Sequence, residues 1–328
     1  MPEKNSSNLP SWVPTFSRLT GFAWSARIAL AAGGMPEIGI FYNGGLGDDI
    51  LCSAVARELK KRGTKKIWHF TAFPELAVGN PDVIPVPTDF RLRRLCGLLG
   101  VPCIELDYHG NPPRHLIVMI CEQAGIRGAV ELRPYLTLSG EERRQGRVTS
   151  RPQIAFQTSS LGARFPARNK LWHHDRLQRV ADALKADFDL VQLGPASDPP
   201  LDDVLDLRGK TSVRQAAAVL SQSHLFIGLV GGLMHLARAV DCRSVIVYGG
   251  REHPFQSGYS ANENLFWAGP CAPCWQRDEC DFDRVCMSSI LPEAVIAAAR
   301  RQLDRYGTPL DIDRAEIAGE RDPIVENS

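Results

Sequence analysis

The sequence lacks an excess of charge of either sign. Its 38 basic and 37 acidic residues leave a formal net charge of +1 over 328 residues, so no overall basic field points to nucleic acid as a partner. It also lacks a long apolar run. No stretch supplies the ~18 uncharged apolar residues that a membrane span needs. Residues 1–10 are polar, and Arg18 and Arg27 break the first apolar stretch, a pattern unlike a secretory signal. No short-period repeat is visible. Two glycine-rich turns are present, but neither fits the G-x-x-x-x-G-K-[ST] phosphate loop. The first also fails the G-x-G-x-x-G spacing of dinucleotide-binding proteins, which argues against a nicotinamide enzyme. Cysteine is not short, but its total of nine is odd. Without a leader, that predicts a reducing, cytoplasmic setting.

What is present is a globular composition, 44% hydrophobic and 23% charged, on a chain long enough for two domains. From Ile38 onward short apolar runs alternate with helical patterns. Strands are expected near 38–42, 66–70, 83–87 and 103–107, with helices over 52–62, 91–99 and 115–124. A polar stretch, Ser139 to Arg151, leads to a boundary near residue 150. The alternation then resumes, with strands near 153–157, 190–193, 204–207, 225–228 and 244–248. Helices are expected over 172–185, 213–222, 233–240 and 292–306, with Thr211 or Ser212 capping the second of them. Such alternation predicts an α/β protein of two Rossmann-like domains, their parallel sheets facing across a cleft. The expected divisions are an amphipathic helical extension (1–35), a first domain (36–150), a second domain (151–306) with a cysteine-rich loop (270–287), and a flexible tail (307–328).

Two turns carry the chemistry. The first, Gly44-Gly45-Leu46-Gly47-Asp48-Asp49, follows an apolar strand and opens a helix. It offers bare backbone N–H groups and a carboxylate at a sheet edge. The second, Gly228 to His235, again links strand to helix, with Gly231 and Gly232 leaving room for a phosphate and His235 in the first helical turn.

Ordered blocks extend this pattern: Gly44-Gly45-Leu46-Gly47-Asp48, Asn169-Lys170-Leu171-Trp172, Leu207 to Ser212, Phe226 to Ala237, and Tyr248-Gly249 followed by Pro270-Cys271-Ala272-Pro273-Cys274. In their order and spacing, over roughly Ile38 to Leu303, the chain resembles the heptosyltransferase family of bacterial glycosyltransferases (family 9), which has the two-domain GT-B fold. The resemblance implies inverting transfer of a sugar, typically from ADP-heptose, to a lipopolysaccharide or other surface glycan, with no catalytic cofactor. It implies Asp48 as the base that takes the acceptor's proton. Lys170, Thr211, Gly231, Gly232, Leu233, Met234 and His235 are implied on the donor side, and Gly44, Gly45, Gly47 and Asp49 on the acceptor side. Of the two acids, Asp49 is expected to cap the helix rather than to react. One departure is Val230, where the family usually carries an acid. It admits a different donor sugar, or a protein that binds nucleotide sugars without turning them over. An epimerase on the same fold fits the block order less well.

Cys271, Cys274, Cys280 and Cys286 fall within sixteen residues. Four thiolates so spaced can hold structural zinc or iron. Reduced cysteines and disulfides remain alternatives. The acceptor is expected at loops ~71–80 and ~107–114, with Arg91, Arg93 and Arg94 available to its phosphates. An amphipathic stripe, Trp12, Phe16, Leu19, Ala23, Ala26 and Leu30, either packs on the protein itself or, through residues 12–30, meets a membrane surface peripherally.

Overall fold

A computed structural model describes residues 21–42, 44–108 and 110–318. The first half opens with α1 (Gly21–Ala31). It continues through β1 (Ile38–Tyr42), α2 (Leu46–Lys61), β2 (Ile67–Thr71), β3 (Ile84–Pro87), α3 (Phe90–Leu98), β4 (Cys103–Leu106) and α4 (Leu116–Gln123). Its four strands are all parallel, in the order β3-β2-β1-β4. The apolar run at 38–42 becomes the inner strand β1, with Ile40 fully buried. The order reverses between β1 and β4, so the crevice beyond their carboxyl ends is where an open α/β sheet takes a ligand.

After β5 (Gly128–Glu131) and α5 (Gly140–Gln145) the chain enters the second half. This comprises β6 (Gln153–Phe156), α6 (His174–Leu184), β7 (Asp189–Gln192), β8 (Leu205–Asp206), α7 (Val213–Ser221), β9 (Leu225–Leu229), α8 (Gly232–Ala239), β10 (Ser244–Gly249), the single turn α9 (Pro254–Ser257), β11 (Glu263–Phe266), α10 (Val285–Ser288) and α11 (Pro292–Asp304). Six parallel strands form its sheet, in the order β11-β10-β9-β6-β7-β8. Here the switch lies between β6 and β9. One apolar core packs α7 and α8 on this sheet and includes Ile50 of α2, while another packs α6 and α11 on the opposite face.

Several contacts join the halves. Arg214 of α7 pairs with Glu142 of α5 at 2.5 Å and donates to the carbonyl oxygens of Glu75, Val78 and Thr137. His115 caps α4, accepting from the Ile117 N–H, and its Nε2 meets the Gly258 carbonyl at 2.9 Å. Burial pushes the His115 imidazole down to about 4, which leaves it neutral.

Two expectations need correcting. The tail is not uniformly flexible: β12 (Arg314–Ile317) pairs antiparallel with β5 of the first half, and Ile317 is fully buried. Burying that side chain contributes on the order of 1.5–3 kcal/mol, a part of the roughly 4–8 kcal/mol of backbone entropy that ordering the four residues costs, the rest falling to the ladder hydrogen bonds and neighbouring contacts. The N-terminal helix does pack on the body, but through Trp24, Ile28, Ala29 and Ala32 against Trp68, Phe70 and Leu92. The expected stripe points the other way, with Ala26 exposed and Leu30 79% exposed. Residues 12–20 of that stripe lie outside the described residues.

Candidate active site

A cleft of about 1000 Å³ runs between the carboxyl edges of the two sheets. The first-half wall is the turn from β1 into α2. Gly45 is the N-cap of α2, and Asp48, its third residue, reaches back so that Oδ2 accepts from the Gly45 N–H at 2.7 Å. A Cβ on Gly44 would collide with that carboxylate and with the Tyr42 ring, so only glycine allows the approach. Tyr108, in the loop after β4, donates its hydroxyl to Asp48 Oδ1 at 3.0 Å. The two loops flanking the first switch point thus hold one carboxylate by both oxygens. Burial pushes the Asp48 carboxyl up, and the Gly45 N–H, the Tyr108 hydroxyl and the Lys170 charge only partly oppose this. A raised carboxylate is the better proton acceptor.

The second-half wall is the turn from β9 into α8. It presses directly on the first turn: a Cβ on Gly47 would lie 3.0 Å from His235 Cδ2 and 3.2 Å from Gly232 Cα. This contact of two glycines brings the start of α8 to the start of α2. His235 lines the cleft, with its Nδ1 2.6 Å from the Tyr259 hydroxyl. Burial lowers the imidazole to about 3, so it offers hydrogen bonds but no charge.

Lys170 closes a cationic cluster between the walls. Its Nζ lies 2.6 Å from Glu252 Oε1, which also pairs with Arg251, while Ser257 donates to Oε2 at 3.1 Å. Glu252 is only 4% exposed. Burial raises its carboxyl, but Lys170 and Arg251 outweigh burial and hold it below the usual range.

Most of the anticipated residues meet here. Gly44, Gly45, Gly47, Asp48, Lys170, Thr211, Gly231, Gly232, Leu233 and His235 all line the cleft. Thr211 is available to it because Ser212 is the residue that caps α7. Met234 turns into the core, where its sulfur meets the Tyr248 hydroxyl. Asp49 is neither a cap nor an acceptor-side group. The helix starts at Leu46, so Asp49 faces inward, accepting from the Thr71 hydroxyl at 2.6 Å and lying 2.5 Å from His69 Nε2. Arg91, Arg93 and Arg94 lie away from the cleft lining; Arg91 is bound to Asp89, and Arg93 stacks on Phe41. Glu252, Arg164, Trp275 and Arg277 are cleft residues that sequence reasoning missed, while Tyr108 comes from the loop ~107–114 expected there. The one available signal was a charged Arg-Glu pair directly beyond a strand end, at Arg251-Glu252.

All nine cysteines are free thiols. Cys271, Cys274, Cys280 and Cys286 line one neighbouring cavity of about 290 Å³. Among the described residues, the ligand atoms gathered within 4.8 Å of one another belong instead to Asp49, Cys52 and His69, with His69 Nε2 2.5 Å from Asp49 Oδ1. The cysteine loop also supports the cleft: Asn169, beside Lys170, donates to the carbonyl oxygens of Gln276 and Glu279, and its N–H donates to that of Arg277.

Residues 126–285 match the model of glycosyltransferase family 9 (heptosyltransferase). Lipopolysaccharide heptosyltransferase 3 of Escherichia coli K12 is 30% identical over 147 residues, which is 41% of this chain and 43% of that protein. The chain therefore spans less than half the length of the curated relatives it matches. Among solved structures, E. coli ADP-heptose lipopolysaccharide heptosyltransferase II superposes with a TM-score of 0.62 at 16% identity, covering 82% of this chain and 98% of that one. The iron-containing dodecameric glycosyltransferase TibC from enterotoxigenic E. coli gives 0.65 at 17% identity, covering 82% and 76%. These likenesses show the fold, the GT-B arrangement of two Rossmann-like halves. The match to glycosyltransferase family 9 covers residues 126–285, just under half of the chain, and over that stretch the sequence is similar to that family.

Proposed function

We propose that this protein is an inverting glycosyltransferase that moves a sugar from an ADP-sugar, with ADP-heptose the leading candidate, to a lipopolysaccharide or other surface glycan. The observation that carries the reading is the contact of the two glycine turns, which sets a buried carboxylate against a helix N-terminus and a lysine. Asp48 takes the proton of the acceptor hydroxyl as it attacks the anomeric carbon. The leaving diphosphate departs on the opposite face, where the α8 N-terminus, His235 and Lys170 stabilise its charge. Holding acceptor and donor in line supplies much of the acceleration. Asp48→Asn keeps the shape and removes the base. It should leave ADP-sugar binding intact and slow transfer by ~10²–10⁴-fold; transfer at the wild-type rate would sink the mechanism.

Val230 favours a second reading of the donor. It lines the cleft with an isopropyl group that cannot bond to a sugar hydroxyl, which supports a sugar other than heptose. Thermal shift against ADP-, GDP- and UDP-sugars separates the two, and no rise with any of them refutes both.

Two further assignments belong to this reading. The chemistry of the donor set Cys271, Cys274, Cys280 and Cys286 suits a thiophilic ion, zinc or iron, since the four residues line one cavity, and the loop would have to draw their sulfurs closer to hold it. Such an ion would cross-link the loop that carries Trp275 and Arg277 and would take no part in the transfer. The exposed Ala26 and Leu30 support peripheral contact with a membrane surface through residues 12–30. Equal liposome flotation of the full chain and a Leu30→Asp variant would remove that idea.

A further inference from the structure

The chemistry of His235 depends on where one proton sits. Its Nδ1 lies 2.6 Å from the Tyr259 hydroxyl. Its Cδ2, bonded to Nε2, faces the start of α2. The side chain lines the cleft, and among the described residues no protein group is hydrogen-bonded to Nε2. A neutral imidazole carries a proton on one ring nitrogen and a lone pair on the other. With the proton on Nε2, the ring offers the cleft a donor. With the proton on Nδ1, it offers a lone pair, which repels an anionic oxygen. The same side chain in the same place therefore favours or opposes a diphosphate according to its tautomer.

Tyr259 decides between the two. It is 2% exposed, and among the described residues Nδ1 is the one polar partner of its hydroxyl. Burial pushes the phenol well above its usual range, so it keeps its proton. A buried O–H without an acceptor is costly, and its surroundings supply no second acceptor. Arg238 faces the ring from 5.9 Å and can only donate. The His115 ring lies 6.1 Å away, centre to centre, with its nitrogens engaged by the Gly258 carbonyl and the Ile117 N–H. Were the proton on Nδ1, the Tyr259 oxygen would have to accept it and turn its own hydrogen into apolar packing.

The ring that sets this proton is seated by the opposite half. Tyr259 belongs to the apolar core that α2 and α4 share in the first half. Its chain neighbours are held there too. Gln256 donates to the Asn111 side chain and the Pro112 carbonyl, and the Ser260 N–H donates to Oδ2 of Asp313, directly before β12, at 2.8 Å.

We infer that Tyr259 is a positioning residue: its hydroxyl fixes His235 as the Nε2–H tautomer, so that the imidazole donates into the cleft to a diphosphate oxygen of the nucleotide donor. The assignment rests on the transfer reading given above for the ligand and adds to it the group that orients the histidine.

Nitrogen NMR of the full chain labelled at histidine reads the tautomer, with His235→Ala assigning the signal. Wild type should show Nε2 protonated and Nδ1 bare. Tyr259→Phe, which removes only the hydroxyl, should show the two tautomers mixed. Calorimetric titration of ADP reads the consequence. His235→Ala should weaken ADP about tenfold, the loss of one hydrogen bond to a charged group, and Tyr259→Phe about threefold. The double variant should be no weaker than His235→Ala alone, because the hydroxyl acts only through the imidazole. A merely structural role for Tyr259 would leave the tautomer unchanged and multiply the two losses. The proposal is overturned by a protonated Nδ1 in wild type, by the wild-type tautomer in Tyr259→Phe, by multiplied losses, or by no binding of ADP to wild type. If the tautomer and the ADP cycle come out as expected while no ADP-sugar supports transfer, the transfer reading falls and the role of Tyr259 stands.

Discussion

Replacing Glu252 by glutamine isolates the charge cluster under the cleft. The substitution keeps size and shape and removes one buried negative charge. Oε1 is shared by Lys170, at 2.6 Å, and Arg251, and the lysine side chain is only 19% exposed. Without the carboxylate, two cations face each other in a site with little water. Removing one partner of a buried pair costs about 3–5 kcal/mol. Unfolding entropy for a chain of 328 residues makes each kcal/mol worth roughly 1.5 °C, so the apo protein should melt about 4–7 °C lower. A diphosphate bound beside Lys170 restores a negative charge. ADP should therefore raise the melting temperature of Glu252→Gln by more than it raises that of wild type. Differential scanning calorimetry of both proteins, with and without saturating ADP, reads both effects. A shift under 1 °C in the apo protein would mean that the cluster is hydrated and weakly coupled. Equal ADP increments would mean that the nucleotide's charge does not reach it.

Other perturbations test other parts of the molecule. Asp49→Asn breaks the pair with His69 and should cost about 3–5 kcal/mol of stability while leaving the transfer rate of the folded fraction intact; denaturant melts and activity per folded molecule separate the two. His115 is held neutral at about 4 against an ordinary value near 6.5. A depressed folded-state value gives stability that is present above ~6.5 and lost as pH falls through ~4, at most about 3 kcal/mol. His115→Gln should flatten the melting curve against pH across that window, and an unchanged slope would show that His115 is not the group responsible. Protein purified without chelator should contain one zinc or iron per chain by elemental analysis. Cys286→Ser or chelation should then lower the melting temperature and raise the acceptor KM; a metal-free protein with wild-type stability refutes the cysteine site.

The parts of this fold that were legible in the sequence are those whose signal is local. The inner strands are short apolar runs because both faces are covered, as at Ile38–Tyr42 and Leu225–Leu229. The turns after them need glycine for close approach, which marks Gly44, Gly47 and Gly232 directly. Other features depend on distant partners. β5 and β12 are four residues each, neither carries an apolar run, and their pairing exists only after the fold brings residues 128 and 317 together. The outward and inward faces of α1 could not be told apart because Phe22-Ala23-Trp24-Ser25-Ala26-Arg27-Ile28-Ala29-Leu30-Ala31 is apolar nearly all round. A charged pair such as Arg251-Glu252 reads as solvated loop in sequence, and only Lys170, from a turn some eighty residues earlier, makes it a buried cluster. Asp48 and Asp49 are adjacent acids of one type; the one-residue difference in helix phase, set by the start at Leu46, sends one to the cleft and the other to His69.

The pairing of β12 with β5 has a mechanical consequence. The chain passes between the halves once on the way out, from β5 through α5 to β6, and once on the way back, from α11 to β12. A single crossing would leave the halves tethered at a point, able to swivel in several directions. Two crossings define a line. A hinge about that line would let the cleft open and shut as a book does on its spine, with both crossings resisting sliding and twisting. Such a hinge brings Asp48 back to the same place against the opposite wall at every closure, the repeatability that an in-line displacement needs.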